Sequence, residues 1–407
     1  MIKKKIAIFL IFVILVIFIA KEIKIRTIDD LAYVIAIGLD SGENDILKVS
    51  FQIANTSSNN SSASSESTSN STISTIETSS IDNAINLMNT YISKELSLAH
   101  CKAIVISEDL ASSGIANYLY TLINKMEISP KCNIIISRVN SDYFLKEASS
   151  SIEKNTTKFY QIIPTTADFT GYTDTITLRD FFSRMGDTFA QPYTILGNVN
   201  TGSHNKNNTD SSVEDSTATK AGESNINSPN KVEINGIAVF NADTMVGQLN
   251  SIETICHLIL SNKLENSNIS IPSPFSDTNT IDLSINLKKP TKIDVQILNG
   301  SPYVKCNIYI NARILTMTKD SDYLNSKNLS EIEEYANSYI ESQVYNYFYK
   351  TSKEYKSDIL GLGKYVVDDF LTWDEWINYD WLNQYENAFF DVNVQTDVKS
   401  GYLLLET

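Results

Sequence analysis

An unbroken apolar run, Ile6 to Ala20, follows directly on Lys3, Lys4 and Lys5. A basic flank ahead of a short apolar core is the pattern of an export signal or signal anchor, and it dictates where the rest of the chain folds. A cut after Ala20 would set Phe18 where signal peptidase needs a small side chain, and no Cys closes the run to accept a lipid. Residues 1–21 therefore read as a retained anchor. As a helix the run covers about 23 Å of the ~30 Å hydrocarbon core, so Lys5 and Lys21 snorkel at its ends and the bilayer thins locally. The positive-inside rule keeps Lys3 to Lys5 cytoplasmic and places everything after Lys21 outside the membrane.

The exported part is long enough for two or three domains: the chain has 407 residues, 42% of them hydrophobic. Its 48 acidic residues against 33 Lys and Arg give a net charge of −15. That balance excludes sequence-independent nucleic-acid binding, which needs cations to displace counterions, and a basic patch for anionic lipid. Four Cys (Cys101, Cys132, Cys256, Cys306) occur without a C-x-x-C, and there are only three His, so no metal or cofactor is expected.

Hydrophobic periodicity organises the rest. Leu31 to Leu39 reads as a buried strand, and Leu47, Val49, Phe51 and Ile53 alternate as in a strand with one wet face. Residues 55–80, rich in Ser, Thr and Asn, read as a mobile loop. Ser80 caps a helix through Ile81, Ala84, Ile85, Met88 and Ile92. Strands at Ala103–Ile106, Asn133–Ile136 and Tyr193–Val199 alternate with helices near Leu110–Met126, from Ser141 (as cap) to Ala148, and at Thr177–Met185. A second polar stretch, 201–230, reads as a disordered linker between domains. Beyond it come a strand at Val232–Phe240, interrupted by Gly236, and a mostly buried helix at Ile252–Leu260. Ile281 to Ile310 carries three sets of period-two apolar residues with Asn299-Gly300 as a hairpin turn, an antiparallel meander. A long helix follows, with Ser330 and Glu333 at capping-box spacing.

No nucleophile elbow, phosphate-cradling loop or zinc-protease motif occurs. Cys256 and His257 are neighbours on one helix and point apart, so they do not form a nucleophile–base pair, and His100-Cys101 fails likewise. Trp373, Trp376 and Trp381 read as a packing anchor in the closing segment rather than a sugar-stacking platform. No catalytic, cofactor-binding, metal-binding or lipidated residue is expected.

Several segments, taken in order, resemble the Ger(x)C family, the C subunit of spore nutrient-germinant receptors. Ile28-Asp29-Asp30-Leu31-Ala32, running on to Ile37-Gly38-Leu39-Asp40, resembles the family's opening strand. Leu98-Ala99-His100-Cys101-Lys102-Ala103 with Glu108-Asp109-Leu110-Ala111 resembles its H-x-K strand and following helix. Gly236-Ile237-Ala238-Val239-Phe240, with Val246-Gly247 and Glu253-Thr254, resembles its middle region. Lys356-Ser357-Asp358-Ile359-Leu360-Gly361-Leu362-Gly363 resembles the turn after the long helix, and Trp376, Trp381 and Val392-Asn393-Val394 resemble the closing elements. One departure stands out. The family's lipobox Cys is missing ahead of Glu22-Ile23-Lys24, and the uncleaved helix stands as the substitute anchor.

The resemblance implies a three-domain extracytoplasmic protein, α+β or mixed α/β, with mixed sheets covered by helices behind the N-terminal membrane anchor. On it we divide the chain into the anchor 1–21, an N-terminal α/β domain 27–200 with the 55–80 loop, the linker 201–230, a small middle domain 231–275 and a C-terminal domain 276–407 with an antiparallel sheet and long helix. It implies a non-enzymatic assembly and coupling subunit on the outer face of the spore inner membrane, partnered by the receptor's A and B subunits. Asp29, Asp30, Leu31, Gly38, Asp40, His100, Gly236, Gly247, Asp358, Gly361, Gly363 and Trp376 are then structural motif residues. The alternatives weighed are a direct nutrient-binding envelope protein and an envelope hydrolase.

Overall fold

The computed structural model describes residues 4–6, 9, 30–43, 46–55, 71–148, 155–200, 218–275, 279–315 and 326–399. They build a mixed α+β fold of two sheets covered by helices. The anchor expected at 1–21 lies outside these residues but for 4–6 and Phe9. No helix among the described residues is long and apolar enough to cross a membrane.

The first sheet takes strands β1 (Leu31–Ser41), β2 (Leu47–Ala54), β3 (Ser71–Thr78), β4 (Glu95–Ser97), β5 (Ala103–Ser107), β6 (Asn133–Ser137), β7 (Tyr193–Val199), β8 (Val232–Asn241) and β9 (Thr244–Leu249). Their order is β3-β2-β1-β5-β6-β7-β8-β9, with β4 beside the start of β1. The central β1, β5, β6 and β7 run parallel, and antiparallel pairs flank them on both sides. Parallel strands are covered on both faces and so read as continuous apolar runs. Alternation divides them: Ile104, Ile106, Ile134 and Ile136 face helices α1 (Ile81–Tyr91), α2 (Glu108–Ser113) and α3 (Ala116–Ile123). Ala103, Val105 and Ile135 face α4 (Ser141–Glu147) and α5 (Thr156–Ile162) through Phe144, Leu145 and Tyr160. A short α6 (Ala167–Thr170) leads into α7 (Leu178–Met185), whose Leu178 and Phe181 join the first of these cores.

Helix α8 (Ser251–Leu260) is buried along its whole length between the sheets. Asn250 and Glu253 close a capping box at its start, each side chain accepting from the other's backbone N–H, at 2.9 and 2.8 Å. The second sheet holds β10 (Ser267–Pro272), β11 (Thr280–Leu287), β12 (Lys292–Leu298), β13 (Ser301–Ile314) and β14 (Phe389–Lys399). Helix α9 (Ser326–Tyr349) covers it with Ile332, Ala336, Ile340, Val344 and Tyr347, all buried. Two short helices, α10 (Trp373–Tyr379) and α11 (Trp381–Gln384), close the chain ahead of β14.

Several sequence expectations change. Residues 71–78, placed in the 55–80 loop, form strand β3, because every β2 residue from Leu47 to Ala54 finds a partner there and Ile73 and Ile76 pack beneath it. The remainder of that loop, 56–70, lies outside the described residues. Within the linker 201–230, residues 218–230 are fixed rather than disordered: Ala221 is buried, its N–H donates to Asn235 O (2.9 Å) and its carbonyl accepts from Arg138 (2.8 Å). Residues 201–217 lie outside the description. The stretch 231–275 is no separate sheet-forming unit, since β8 and β9 extend the first sheet through β7. The helix expected at Leu110–Met126 divides into α2 and α3 at Gly114, whose φ of +99° interrupts it. Ser141 does not cap α4; Asn140 occupies that position and Ser141 is the first helical residue. The meander is also different, because β11 and β12 both pair with the long β13 rather than with each other.

The predicted cap of the long helix shifts as well. Helix α9 begins at Ser326, so Ser330 is interior, and Glu333 has other work. The outer edge of β14 would present unpaired N–H groups. Instead Val392, Thr396 and Val398 donate to Tyr345 Oη (3.2 Å), Asn337 Oδ1 (2.7 Å) and Glu333 Oε1 (2.9 Å), all from α9. Truncating Asn337→Ala should cost about 1 kcal/mol and selectively lower hydrogen-exchange protection of the Thr396 amide. Unchanged protection there would show that the edge is covered by something else.

Candidate functional site: two buried carboxylates and an inter-lobe cleft

The motif residues fall at separate places. Asp29 lies outside the described residues, Asp30 is exposed, and Leu31 opens β1 half-buried. His100 is exposed, with its ring edge-to-face on Tyr33 at 4.9 Å. The Gly236 N–H donates to Tyr172 O at 2.7 Å, and Gly247 lies beneath the Tyr355 ring, whose hydroxyl donates to Gln248 O at 2.9 Å. Gly38 and Asp40 act together. A Cβ at Gly38 would strike Ser141 Oγ, and without it Ser141 donates both its N–H and its hydroxyl to the buried Asp40 carboxylate, each at 2.6 Å. A carboxylate at the first turn of α4 also meets the positive end of the helix.

Asp358, Gly361, Gly363 and the closing Trp residues form a second node. Gly361 sits in the left-handed region at φ +71°, turning the backbone so that three successive N–H groups converge on one carboxylate. Asp358 accepts from Gly361 N (2.9 Å), Leu362 N (2.6 Å), Gly363 N (3.3 Å) and Trp381 Nε1 (2.9 Å). Trp376, stacked on Trp381 at 6.2 Å between ring centroids, donates from Nε1 to Thr188 Oγ1 at 2.9 Å. Trp376 and Trp381 are buried, so neither offers a face to a sugar, while Trp373 is exposed and stands apart. Burial pushes the Asp358 carboxyl up to about 6, against the four N–H groups that favour its charge.

A group of residues that sequence reasoning passed over lies where the two sheets meet. Asp174, ahead of α7, is buried and accepts from Tyr193 Oη (2.7 Å) and Lys263 Nζ (2.8 Å). Lys263 also donates to Tyr193 Oη at 2.8 Å. His257 of α8 shares a hydrogen bond between Nδ1 and Tyr347 Oη of α9, at 2.9 Å. Its Nε2 faces Asp174 Oδ2 at 3.5 Å, the long limit of a hydrogen bond. Burial lowers the His257 pKa more than Asp174 raises it, so the ring is neutral. Burial opposes the charge on Asp174 too, but His257 and Lys263 outweigh it and hold the carboxyl well below the usual range. Cys256 beside it is buried, and burial pushes its thiol up, away from a reactive thiolate. The available sequence signal was Glu253 and His257 inside an otherwise apolar helix, since a buried polar side chain must find partners.

Above this network lies a cleft of about 120 Å³ lined by Arg184 and Tyr193 from one lobe, His257, Leu260 and Lys263 at α8, and Leu362 and Lys364 after α9. Arg184 Nη1 donates to Gln191 O (3.1 Å) and to Ile359 O (2.7 Å), so the guanidinium bridges the lobes while lining the cavity. Among the described residues no group of three or more His, Cys, Asp or Glu is placed to hold a metal ion.

Two family models match the chain in order: the spore germination protein N-terminal domain over residues 24–196, and the spore germination B3/GerAC-like C-terminal domain over 235–401. The chain belongs to the Ger(x)C family of spore germination proteins. A curated relative, spore germination protein GerQC of Bacillus cereus, is 26% identical over 170 residues, 42% of this chain and 45% of that protein. The matched segment thus spans less than half of the relative's length. The fold is similar to the crystal structure of the GerBC protein, with a TM-score of 0.52 at 14% identity, covering 89% of this chain and 96% of that one. In this Ger(x)C chain the boundary between the matched regions, 197–234, contains the 218–230 stretch that packs against β7 and β8.

Asp358→Ala should unfold the protein more readily by over about 3 kcal/mol, because four buried N–H groups lose their acceptor. The raised carboxyl also has a pH signature. Its contribution is full below the unfolded carboxyl pKa of about 4 and declines as pH rises through about 6. Denaturation midpoints of the wild type should therefore rise as pH falls from about 7 to 4, and Asp358→Asn should lack this slope. An identical slope in both proteins would show that Asp358 does not titrate there.

Proposed function

We propose that this protein is the membrane-anchored C subunit of a nutrient germinant receptor. It acts without enzymatic chemistry as an assembly and coupling subunit alongside the A and B subunits. Residues 1–21 tether it in the spore inner membrane, with the N-terminus cytoplasmic and the folded part on the outer face. The observation that carries this reading is the construction of the chain: both Ger(x)C regions are present in order, and a helix buried along its length joins their sheets into one body. Such a body passes a displacement at one face to the other, because a close-packed interior does not deform gradually. The buried carboxylates Asp40 and Asp358 are spent on backbone N–H groups, which suits a scaffold.

Deleting the gene should abolish dipicolinic acid release by some single nutrients and leave release by a receptor-independent trigger intact. An unchanged response to every nutrient, in a strain also stripped of paralogues, would sink the assignment. The alternative of a direct nutrient-binding envelope protein is favoured by one feature, the cleft of about 120 Å³ between the lobes. Calorimetry of the full chain separates the two: saturable heat from a nutrient whose germination response the deletion abolishes replaces the adaptor with a sensor.

A further inference from the structure

The inter-lobe cleft is electrically anomalous. The chain carries a net charge of −15, yet Arg184, Lys263 and Lys364 all line this cavity and no carboxylate does. Asp174, the acid beneath it, is buried and already accepts from Lys263 and Tyr193. It balances one of the three cations. Lys364, exposed at the rim, lies 5.0 Å from the Tyr365 ring centroid, and the Arg184 guanidinium lies 5.1 Å from that of Tyr193. Neither ring carries the negative charge that would neutralise it.

The rest of the lining mixes Ser261 and Tyr365 with apolar side chains, of which Ile293 and Leu360 are the least covered. Orienting charges beside a smaller apolar patch suit a short ligand with one charged end. The volume sets the size. A cavity of about 150 Å³ holds benzene, so the cleft's 120 Å³ takes an occupant of roughly four to six heavy atoms. Inorganic phosphate would satisfy the cations but leave the apolar wall against charged oxygens. A free amino acid brings an ammonium into a site lined by three cations and no acid. A short aliphatic carboxylate satisfies both halves.

We propose that the cleft between the two lobes is a binding site for a small aliphatic carboxylate, its anionic head held by Arg184, Lys263 and Lys364 and its tail against Ile293 and Leu360. This site does not depend on the receptor assignment. Because Arg184 bridges Gln191 O and Ile359 O across the lobes, an occupant there braces their junction.

The test is calorimetric titration of the full-length protein in detergent with propionate and butyrate, alongside inorganic phosphate and zwitterionic alanine. Propionate or butyrate should give saturable heat with a Kd of about 1 mM or tighter, within the reach of so small a ligand. Lys364→Gln should weaken it about tenfold without moving the thermal midpoint, as Lys364 is exposed and its removal leaves the folded interior intact. Arg184→Gln should abolish binding; because it also lowers stability, it is read only alongside Lys364→Gln. Four results overturn the proposal: no saturation by either carboxylate, phosphate bound in preference, alanine bound as tightly, or a propionate affinity that Lys364→Gln leaves unchanged.

Discussion

Helix α8 has no face turned to water, and that constraint organises the molecule. A helix buried all round must satisfy each polar side chain from its neighbours, because unpaired groups in a low-dielectric interior are expensive. Glu253 is held by Lys350 at 2.8 Å, and His257 is hydrogen-bonded to Tyr347, both at the C-terminal end of the long helix α9 or just beyond it. On the other side Ser251 exchanges backbone and hydroxyl contacts with Thr219, in the segment packed on the first sheet. The two sheets are therefore joined by hydrogen bonds as well as by apolar contact, and the joint lies inside the protein rather than at a hinge loop.

Two further carboxylates repeat the same logic on a smaller scale. Asp40 takes the start of α4, and Asp358 takes three successive backbone N–H groups and an indole N–H. In both cases a glycine creates the room: Gly38 by admitting Ser141, Gly361 by turning the backbone at positive φ. Asp358 also reaches across the lobes, since its carbonyl accepts from Gln191 N at 2.8 Å. The turn after α9, the Trp pair and the loop leading into β7 are one connected unit, at the border of the cationic cleft.

Much of the layout was legible in the chain. Parallel central strands announce themselves as short apolar runs because both faces are covered, as at Ala103–Ser107 and Asn133–Ser137. Ser80 could be named as a cap because the N-cap interaction is local, and its side chain does accept from Asn83 N. Strand β3 was hidden because Ser and Thr serve a loop and a strand equally, and only pairing with β2 decides between them.

What the sequence by itself determined is therefore local or compositional: the basic flank and apolar run at the start, the alternation that marks strands, the caps, and the ordered motifs that assign the family. Tertiary structure alone decided which groups meet. Nothing in the neighbourhood of Asp174 predicts a partner at Lys263, nor does the chain around Asp358 predict Trp381. The same is true of Arg184, Lys263 and Lys364, which stand far apart along an acidic chain and line one cavity only because α8 draws the sheets together. Capping and alternation depend on neighbours a few residues away, whereas charge pairing in the interior depends on packing between elements whose separation along the chain carries no record of it.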